Sequence, residues 1–90
     1  MPELCKVCGH FEAPVERGVR LCEGCTRMLL FELEHEGRGT ARVIDGRHYS
    51  DACQICGEYR NRRIVTHPEW GKVCEVDVRE AAEVHGLTHL

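Results

Sequence analysis

The chain has 90 residues and a formal net charge of −3, with seven cysteines but only two phenylalanines, two tyrosines and one tryptophan. A chain this short buries a small hydrophobic core and usually needs a metal ion or disulfides as well. The start of the chain shows no signal peptide, no apolar run reaches membrane-spanning length, and the cysteine count is odd. The sequence therefore predicts a cytoplasmic protein with metal-bound rather than disulfide-bonded cysteines, and it argues against a membrane protein.

Two Cys-x-x-Cys pairs dominate residues 1–37. Cys5 and Cys8 form the first pair, Cys22 and Cys25 form the second, and thirteen residues separate the two pairs. This spacing is typical of four thiolates that enclose one zinc ion in a tetrahedron. Gly9 follows the first pair directly, and a glycine there allows backbone N–H groups to point at the thiolates. We predict that residues 1–37 form a first zinc finger with four cysteine ligands.

The stretch after the first pair predicts a hairpin and then a helix. A turn is expected at residues 16–18, with a short return strand over residues 19–21 and a helix over residues 22–36 that Gly37 ends. Four consecutive apolar residues in this helix point in all directions, so the helix is expected to be covered on more than one side. We predict that it packs mainly within the chain and that Met28, Leu30 and Phe31 contact a protein partner or a second copy of the chain.

Residues 38–52 predict a basic linker. The dipeptide Asp45-Gly46 lies between segments that mix apolar and polar residues, which favours a local hairpin, with a helical loop as the alternative. Residues 38–63 together carry six arginines against three acidic residues, a net charge of +3 within an acidic chain.

Residues 53–90 repeat the first plan and predict a second zinc finger. Cys53, Cys56 and Gly57 match the first cysteine pair and its glycine, and Cys74 follows after seventeen residues. A strand over residues 72–73 precedes Cys74, and a helix follows from Cys74 to about residue 85.

The second finger lacks a fourth cysteine. Superposing the two repeats places Asp77 on Cys25, and a carboxylate oxygen binds zinc at nearly the same distance as a histidine nitrogen. Asp77 also suits the first turn of a helix without any metal, because negative charge there complements the helix dipole. His67, on the second hairpin, is the alternative eighth ligand, and His85 and His89 are more remote alternatives. We predict two zinc ions, with Cys3Asp or Cys3His coordination at the second site.

Three other chemistries fit the cysteines less well. Rubredoxin-like iron also uses two Cys-x-x-Cys loops, but the second loop here begins a helix. Dithiol redox catalysis requires a βαβ context, which the pattern does not offer. A catalytic zinc requires an open coordination position, and no general base is evident. We therefore predict a protein that is not an enzyme.

The repeated order of cysteine knuckle, hairpin and helix resembles the treble-clef zinc-finger superfamily, and its two copies resemble LIM-type and GATA-type modules. In LIM domains the last ligand of the second finger is Cys, His or Asp, which parallels Asp77. Two departures are large: twenty-seven residues separate Cys25 from Cys53 where LIM fingers have two, and the helix over residues 22–36 is acidic where GATA-type fingers are basic. The resemblance implies a small metal-stabilised α+β fold with two tandem treble-clef fingers.

A weaker resemblance concerns the segment from Gly18 to Cys25, which is similar to the return strand and second cysteine pair of HNH and endonuclease VII nucleases. In those enzymes a catalytic histidine ends the first hairpin strand, where this chain has Glu12 and Ala13. His67 with His85 is the nearest substitute in the second finger. This resemblance implies at most a nuclease relic.

Two functions compete. A binding or adaptor module for a protein partner is favoured by the acidic balance, the apolar helix and the lack of a catalytic constellation. Nucleic-acid binding is the alternative, because Arg60, Arg62 and Arg63 lie beside Tyr59 and could hold phosphates while the ring stacks on a base.

Overall fold

The computed structural model describes residues 3–13, 20–35 and 39–87, which form a small α+β structure with two helices and two small sheets. Its elements in chain order are β1 (Glu3–Leu4), β2 (Glu12–Ala13), α1 (Glu23–Glu34), β3 (Arg42–Asp45), β4 (Arg63–His67), β5 (Gly71–Cys74) and α2 (Glu75–Val84), with one turn of 3-10 helix at Tyr49–Asp51 between β3 and β4. Neither helix in this part of the chain has the length and apolar character needed to cross a bilayer.

Both sheets are antiparallel and each lies next to one group of cysteines. β1 pairs with β2, so that Leu4 lies opposite Glu12 and Cys5 follows directly. The larger sheet has the order β3-β4-β5. Its central strand carries Ile64 and Val65, both with no exposed surface, and Ile64 lies opposite Cys74 at the end of β5. The register therefore fixes the position from which α2 begins.

The two helices pack against each other and join the two halves of the chain. Glu34 at the end of α1 accepts a hydrogen bond from Arg79 of α2 at 3.3 Å. His85, at the C-terminal end of α2, donates from Nε2 to the backbone carbonyl oxygen of Leu21 at 2.8 Å. The prediction that α1 packs within the chain is confirmed, because Leu29 is only 1% exposed.

The local hairpin expected at Asp45-Gly46 does not form, because β3 pairs with the distant strand β4 instead. That pairing places Val43 opposite Val65 and Ile44 opposite Ile64, so two apolar residues of the predicted linker extend an apolar sheet. A local hairpin would have paired them with the polar segment after Gly46, and burying apolar side chains is the more favourable arrangement. Residues 42–45 are thus an edge strand of the second half.

The turn expected at residues 16–18 and the helix stop expected at Gly37 lie outside the described residues. The return strand expected over residues 19–21 does not form where it is described, because neither Arg20 nor Leu21 belongs to a strand. The Arg20 carbonyl oxygen instead accepts a hydrogen bond from Lys6 N–H at 2.7 Å, which connects the first knuckle to the segment before α1.

The core consists of aliphatic side chains and cysteines. The largest fully buried hydrophobic residues are Leu21, Leu29, Ile64, Val65, Val73 and Val78. All five aromatic residues belong to the described part of the chain, and none of them is fully buried. Phe11 and Tyr49 are 67% and 73% exposed. The hydrophobic core is therefore thin even for a chain of this length.

Candidate metal centres

The first cluster contains the four cysteines expected from the sequence: Cys5, Cys8, Cys22 and Cys25. Their sulfur atoms all lie within 4.8 Å of one another, and the Cys8 and Cys22 sulfurs are 3.8 Å apart. A tetrahedron of sulfurs around zinc, with Zn–S bonds of about 2.3 Å, has S–S edges of about 3.8 Å. A disulfide would require about 2.05 Å, and all seven cysteines are free. The Cys8–Cys22 distance therefore matches one edge of a zinc–sulfur tetrahedron, and the four sulfurs are positioned to hold one metal ion.

Backbone geometry explains how the first knuckle presents its sulfurs. The N–H of Val7 donates to the Cys5 sulfur at 3.4 Å, and the N–H of Gly9 closes the turn onto the Cys5 carbonyl oxygen at 3.0 Å. Gly9 has φ +69°, a conformation that favours glycine. The other two sulfurs come from the start of α1, where Cys22 is the N-cap and its sulfur accepts from the N–H of Cys25 at 3.4 Å.

The second cluster contains Cys53, Cys56, Cys74 and Asp77, and its ligand atoms also lie within 4.8 Å of one another. The Cys56 and Cys74 sulfurs are 3.7 Å apart, again the edge of a zinc–sulfur tetrahedron. Asp77 Oδ2 lies 3.0 Å from the Cys53 sulfur and 3.2 Å from the Cys74 sulfur. These are hydrogen-bonding distances between sulfur and carboxylate oxygen, and a zinc ion with one oxygen ligand would set them at about 3.5 Å.

The second knuckle repeats the backbone bonds of the first. The Cys53 sulfur accepts from Ile55 N–H at 3.3 Å, and the N–H of Gly57 donates to the Cys53 carbonyl oxygen at 2.8 Å. Gly57 has φ +79°. Cys74 is the N-cap of α2, as Cys22 is of α1. The structure therefore places Asp77 as the sequence repeat predicts, three residues after the capping cysteine.

The histidines considered as alternative ligands lie elsewhere. His67 is 8% exposed and stacks on Trp70 with 4.4 Å between ring centroids. Its Nδ1 accepts from the backbone N–H groups of Glu69 and Trp70 at 3.1 and 3.2 Å, which leaves that nitrogen no lone pair for a metal. His85 holds the two helices together, and His89 lies outside the described residues.

Thiol ionisation is uneven in the first cluster. Burial opposes ionisation of Cys8, but hydrogen bonds from the backbone N–H groups of His10 and Phe11 and from neighbouring thiols outweigh it and lower the pKa of Cys8 to about 6. Burial raises the pKa of both Cys22 and Cys25. A divalent ion at the centre would stabilise all of these thiolates, because its charge is the largest in the site.

The second cluster has the same unevenness. A hydrogen bond from the Cys53 thiol lowers the pKa of Cys74 to about 6, against the effect of burial and with smaller help from the Asp77 N–H and Arg62. The same bond to Cys74, together with burial, raises the pKa of Cys53. Burial, and then the hydrogen bond to Asp77, raise the pKa of Cys56 to about 11.

The predicted arginine belt is divided by the fold. The Arg62 side chain extends towards the second cluster, and its guanidinium nitrogen Nη1 lies 3.3 Å from the Cys74 sulfur and 3.5 Å from the Cys56 sulfur. Arg63 pairs with Glu75 at 3.3 Å. Arg60 lies over the ring of Tyr59, 5.7 Å from its centroid. No sequence motif connects Arg62 with the sulfurs, because the contact depends on how the loop before β4 folds back.

The outer face of α1 differs from the prediction at one position. Met28 and Phe31 are each 44% exposed, whereas Leu30 is 4% exposed and belongs to the core. Leu30 therefore belongs mainly to the core and offers a partner little surface, because the helix turns it towards the rest of the chain. A groove of about 380 Å³ beside it is lined by Arg27, Leu30, Phe31, Glu34 and His35.

Comparison with protein-family models, with curated proteins and with solved structures finds no match to this chain. What the structure establishes is local: two cysteine-rich groups, one with four thiols and one with three thiols and a carboxylate, are positioned to hold metal ions. This arrangement is compatible with a zinc-finger-like module.

Proposed function

We propose that the protein is a non-enzymatic zinc-binding module that holds two zinc ions and contacts a protein partner. The observation that carries the zinc assignment is the pair of S–S distances, 3.8 Å in the first cluster and 3.7 Å in the second, which match the edge of a zinc–sulfur tetrahedron. Each cluster supplies four ligands from the protein. Four protein ligands leave no open position for a substrate or an attacking water, so both ions are structural in this proposal.

A tandem treble-clef arrangement is part of the proposal. Each cluster takes two ligands from a turn closed by a glycine at positive φ, and two from the N-cap and the first turn of a helix. The equivalent bonds of Gly9 and Gly57, at 3.0 and 2.8 Å, support a common plan for the two halves.

Native mass spectrometry with zinc quantification tests the metal content. Two zinc ions per chain are expected, and Cys5→Ser and Cys53→Ser should each remove one of them. Retention of both ions by either variant would contradict the assignment of that cysteine as a ligand. A chain purified from zinc-replete cells with no ion bound would contradict the proposal itself.

The partner surface we propose is the exposed face of α1. Met28 and Phe31 lie one turn apart on it, each 44% exposed, beside the groove that the side chain of Phe31 lines. Exposed apolar side chains grouped next to a groove are characteristic of protein-binding surfaces. A second copy of the chain is the alternative occupant.

Affinity capture with Phe31→Asp tests this surface, with Phe11→Asp as the matched control. Phe11 is 67% exposed and lies at the first knuckle beside the start of α1, about two helical turns from Phe31. A specific partner should be lost with Phe31→Asp and retained with Phe11→Asp, and a change in mass by light scattering would instead identify a homodimer. Equal capture by both variants would contradict the assignment of this face.

Nucleic-acid binding remains the second candidate, supported by Arg60 over Tyr59 and by Arg47, whose side chain is 85% exposed. It is less favoured because Arg62 and Arg63 contact groups of the chain itself. A salt titration of single- and double-stranded DNA binding, with Arg60→Ala as the variant, tests it. The nuclease reading gains no support, because Nδ1 of His67 is occupied by two backbone donors.

A further inference from the structure

Arg62 contacts the second metal cluster in a way that its sequence position does not suggest. A single guanidinium nitrogen, Nη1, lies near two sulfurs, that of Cys74 at 3.3 Å and that of Cys56 at 3.5 Å. These two sulfurs form one edge of the cluster, and Cys53 and Asp77 form the opposite edge. The guanidinium therefore lies outside the ligand set but directly against half of it.

The backbone around Arg62 is held in place by the segment that follows β3. The Arg62 carbonyl oxygen accepts a hydrogen bond from Gly46 N–H at 2.8 Å. A Cβ at Gly46 would clash with the backbone carbonyl of Tyr59, so only glycine allows this close approach. Asn61, the residue before Arg62, has φ +58°, which turns the chain into β4. The loop is thus built to a specific shape that directs Arg62 at the sulfurs.

The charge of the second cluster explains what such a contact achieves. Three thiolates and one carboxylate carry four negative charges, so a divalent ion leaves the site with a net charge of −2. Unscreened like charges at ligand distances repel strongly in a partly buried site. Arg62 brings one positive charge and a charge-assisted hydrogen bond to this site, which reduces the net charge to −1.

The accessibility of the cluster adds a second consequence. Cys56 is exposed, whereas Cys53 and Cys74 are buried. A competing ligand therefore reaches the second cluster through Cys56. The half-buried Arg62 side chain stands beside that sulfur, so it both neutralises the thiolate and restricts access to it.

We infer that Arg62 is a positioning residue of the second metal site, which retains the metal ion by hydrogen bonding to the Cys56 and Cys74 thiolates and by neutralising part of their charge. This inference rests on the proposed binding of two zinc ions. It assigns to one arginine of the predicted belt a role in metal retention rather than in contact with a nucleic acid. Outer partners of this kind typically contribute about 10–100-fold to metal affinity.

Zinc release to an excess of a chromophoric chelator tests the inference on the zinc-loaded full chain. Arg62→Gln should accelerate the release of one ion by about 10–100-fold and affect the other much less, because Arg62 does not contact the first cluster. Arg62→Lys, which keeps the charge, should recover part of the loss. Arg60→Gln is the matched control, since Arg60 faces the Tyr59 ring and should not alter either rate.

A spectroscopic readout separates metal retention from folding. With ¹¹³Cd²⁺ in place of zinc, the four-sulfur and three-sulfur sites should give two resonances, and Arg62→Gln should shift only the three-sulfur resonance. Unchanged release in Arg62→Gln, or equal acceleration of both ions, would overturn the inference. If the unmodified chain binds fewer than two ions, the proposed function fails as well, whereas two ions with no effect of Arg62→Gln overturn the inference alone.

Discussion

At the scale of single residues, the two clusters differ in one ligand. Asp77 in the second cluster stands at the position of Cys25 in the first, and each lies three residues after the cysteine that caps its helix. Because the two helices start in the same way, a cysteine at position 77 has the reach that Cys25 already shows. Replacing Asp77 with cysteine should therefore change the chemistry of the ligand without changing how the helix starts.

We predict that Asp77→Ala lowers the metal content from two ions towards one, whereas Asp77→Cys keeps two. Loss of an outer hydrogen-bond partner typically lowers metal affinity by about 10–100-fold. Removing a direct ligand should lower the affinity for the second ion by more than that. Thiolates are soft ligands that bind zinc well, so a fourth thiolate should restore binding of the second ion. Mass spectrometry and cobalt-to-sulfur absorption bands report both effects. Two tightly bound ions in Asp77→Ala would show that Asp77 is not a ligand.

Metal binding should depend on pH through the protons that the thiols lose. Because the metal-free chain is expected to unfold, its cysteines should have ordinary pKa values of about 8.5 and be protonated at pH 7, whereas a bound zinc ion holds thiolates. The first cluster should therefore release about four protons per ion and the second about three, and the affinity of both sites should fall as the pH drops.

Titration calorimetry in buffers of different protonation enthalpy counts these protons directly. At pH 7 the two ions together should release about seven protons. A count of about four or fewer would show that the metal-free chain already holds several of these cysteines as thiolates.

At the scale of elements, the features visible in the sequence are those that depend on near neighbours. The helices at Glu23–Glu34 and Glu75–Val84 begin directly after a capping cysteine, as the spacing of the cysteine pairs predicts. Strand β3 was not predictable in the same way, because its partner β4 lies beyond the second knuckle. The dipeptide Asp45-Gly46 is a local hairpin signal, but the apolar face of the distant strand determines the pairing. Arg62 was missed for the same reason.

The helix α1 shows where periodicity stops being informative. Four consecutive apolar residues cannot all face the core, and only the positions of α2 and β3 determine which of them do. Leu30 is 4% exposed and Phe31 is 44% exposed, although they are neighbours.

We predict that Leu30→Ala lowers the free energy of unfolding of the zinc-loaded chain by about 2–4 kcal/mol, because it leaves a cavity in a close-packed core. Phe31→Ala should change it by less than about 1 kcal/mol, since the ring is half-exposed. Chemical denaturation at fixed zinc concentration measures both. Equal losses in the two variants would mean that Phe31 is also part of the core, and its assignment to a partner surface would be withdrawn.

At the scale of the whole molecule, two features are linked. The core contains no fully buried aromatic residue, although aromatic side chains supply much of the apolar area buried in most small domains. Cysteines of both clusters occupy core positions instead: Cys5, Cys22, Cys25, Cys53 and Cys74 are each less than 5% exposed. Without an ion these positions hold polar thiols, several of them with raised pKa values. We therefore expect metal binding and core formation to be coupled in this fold.

Metal removal should accordingly unfold the chain. Structural zinc contributes on the order of 10 kcal/mol in small fingers, and a domain of this size has a total stability of roughly 5–15 kcal/mol, so the chain cannot remain folded without its ions. After treatment with a strong chelator at neutral pH under reducing conditions, the far-ultraviolet helical signal and the cooperative thermal transition should both disappear. Two equivalents of Zn²⁺ should restore them, whereas Mg²⁺, which prefers oxygen ligands, should not.

Because α1 packs against α2, loss of one ion should also weaken the half that keeps its own, and Cys5→Ser should lower the melting temperature of the whole chain in a single transition. A metal-free chain that keeps its helices and melts cooperatively would show that the aliphatic core is sufficient, and the structural role proposed for both ions would then be rejected.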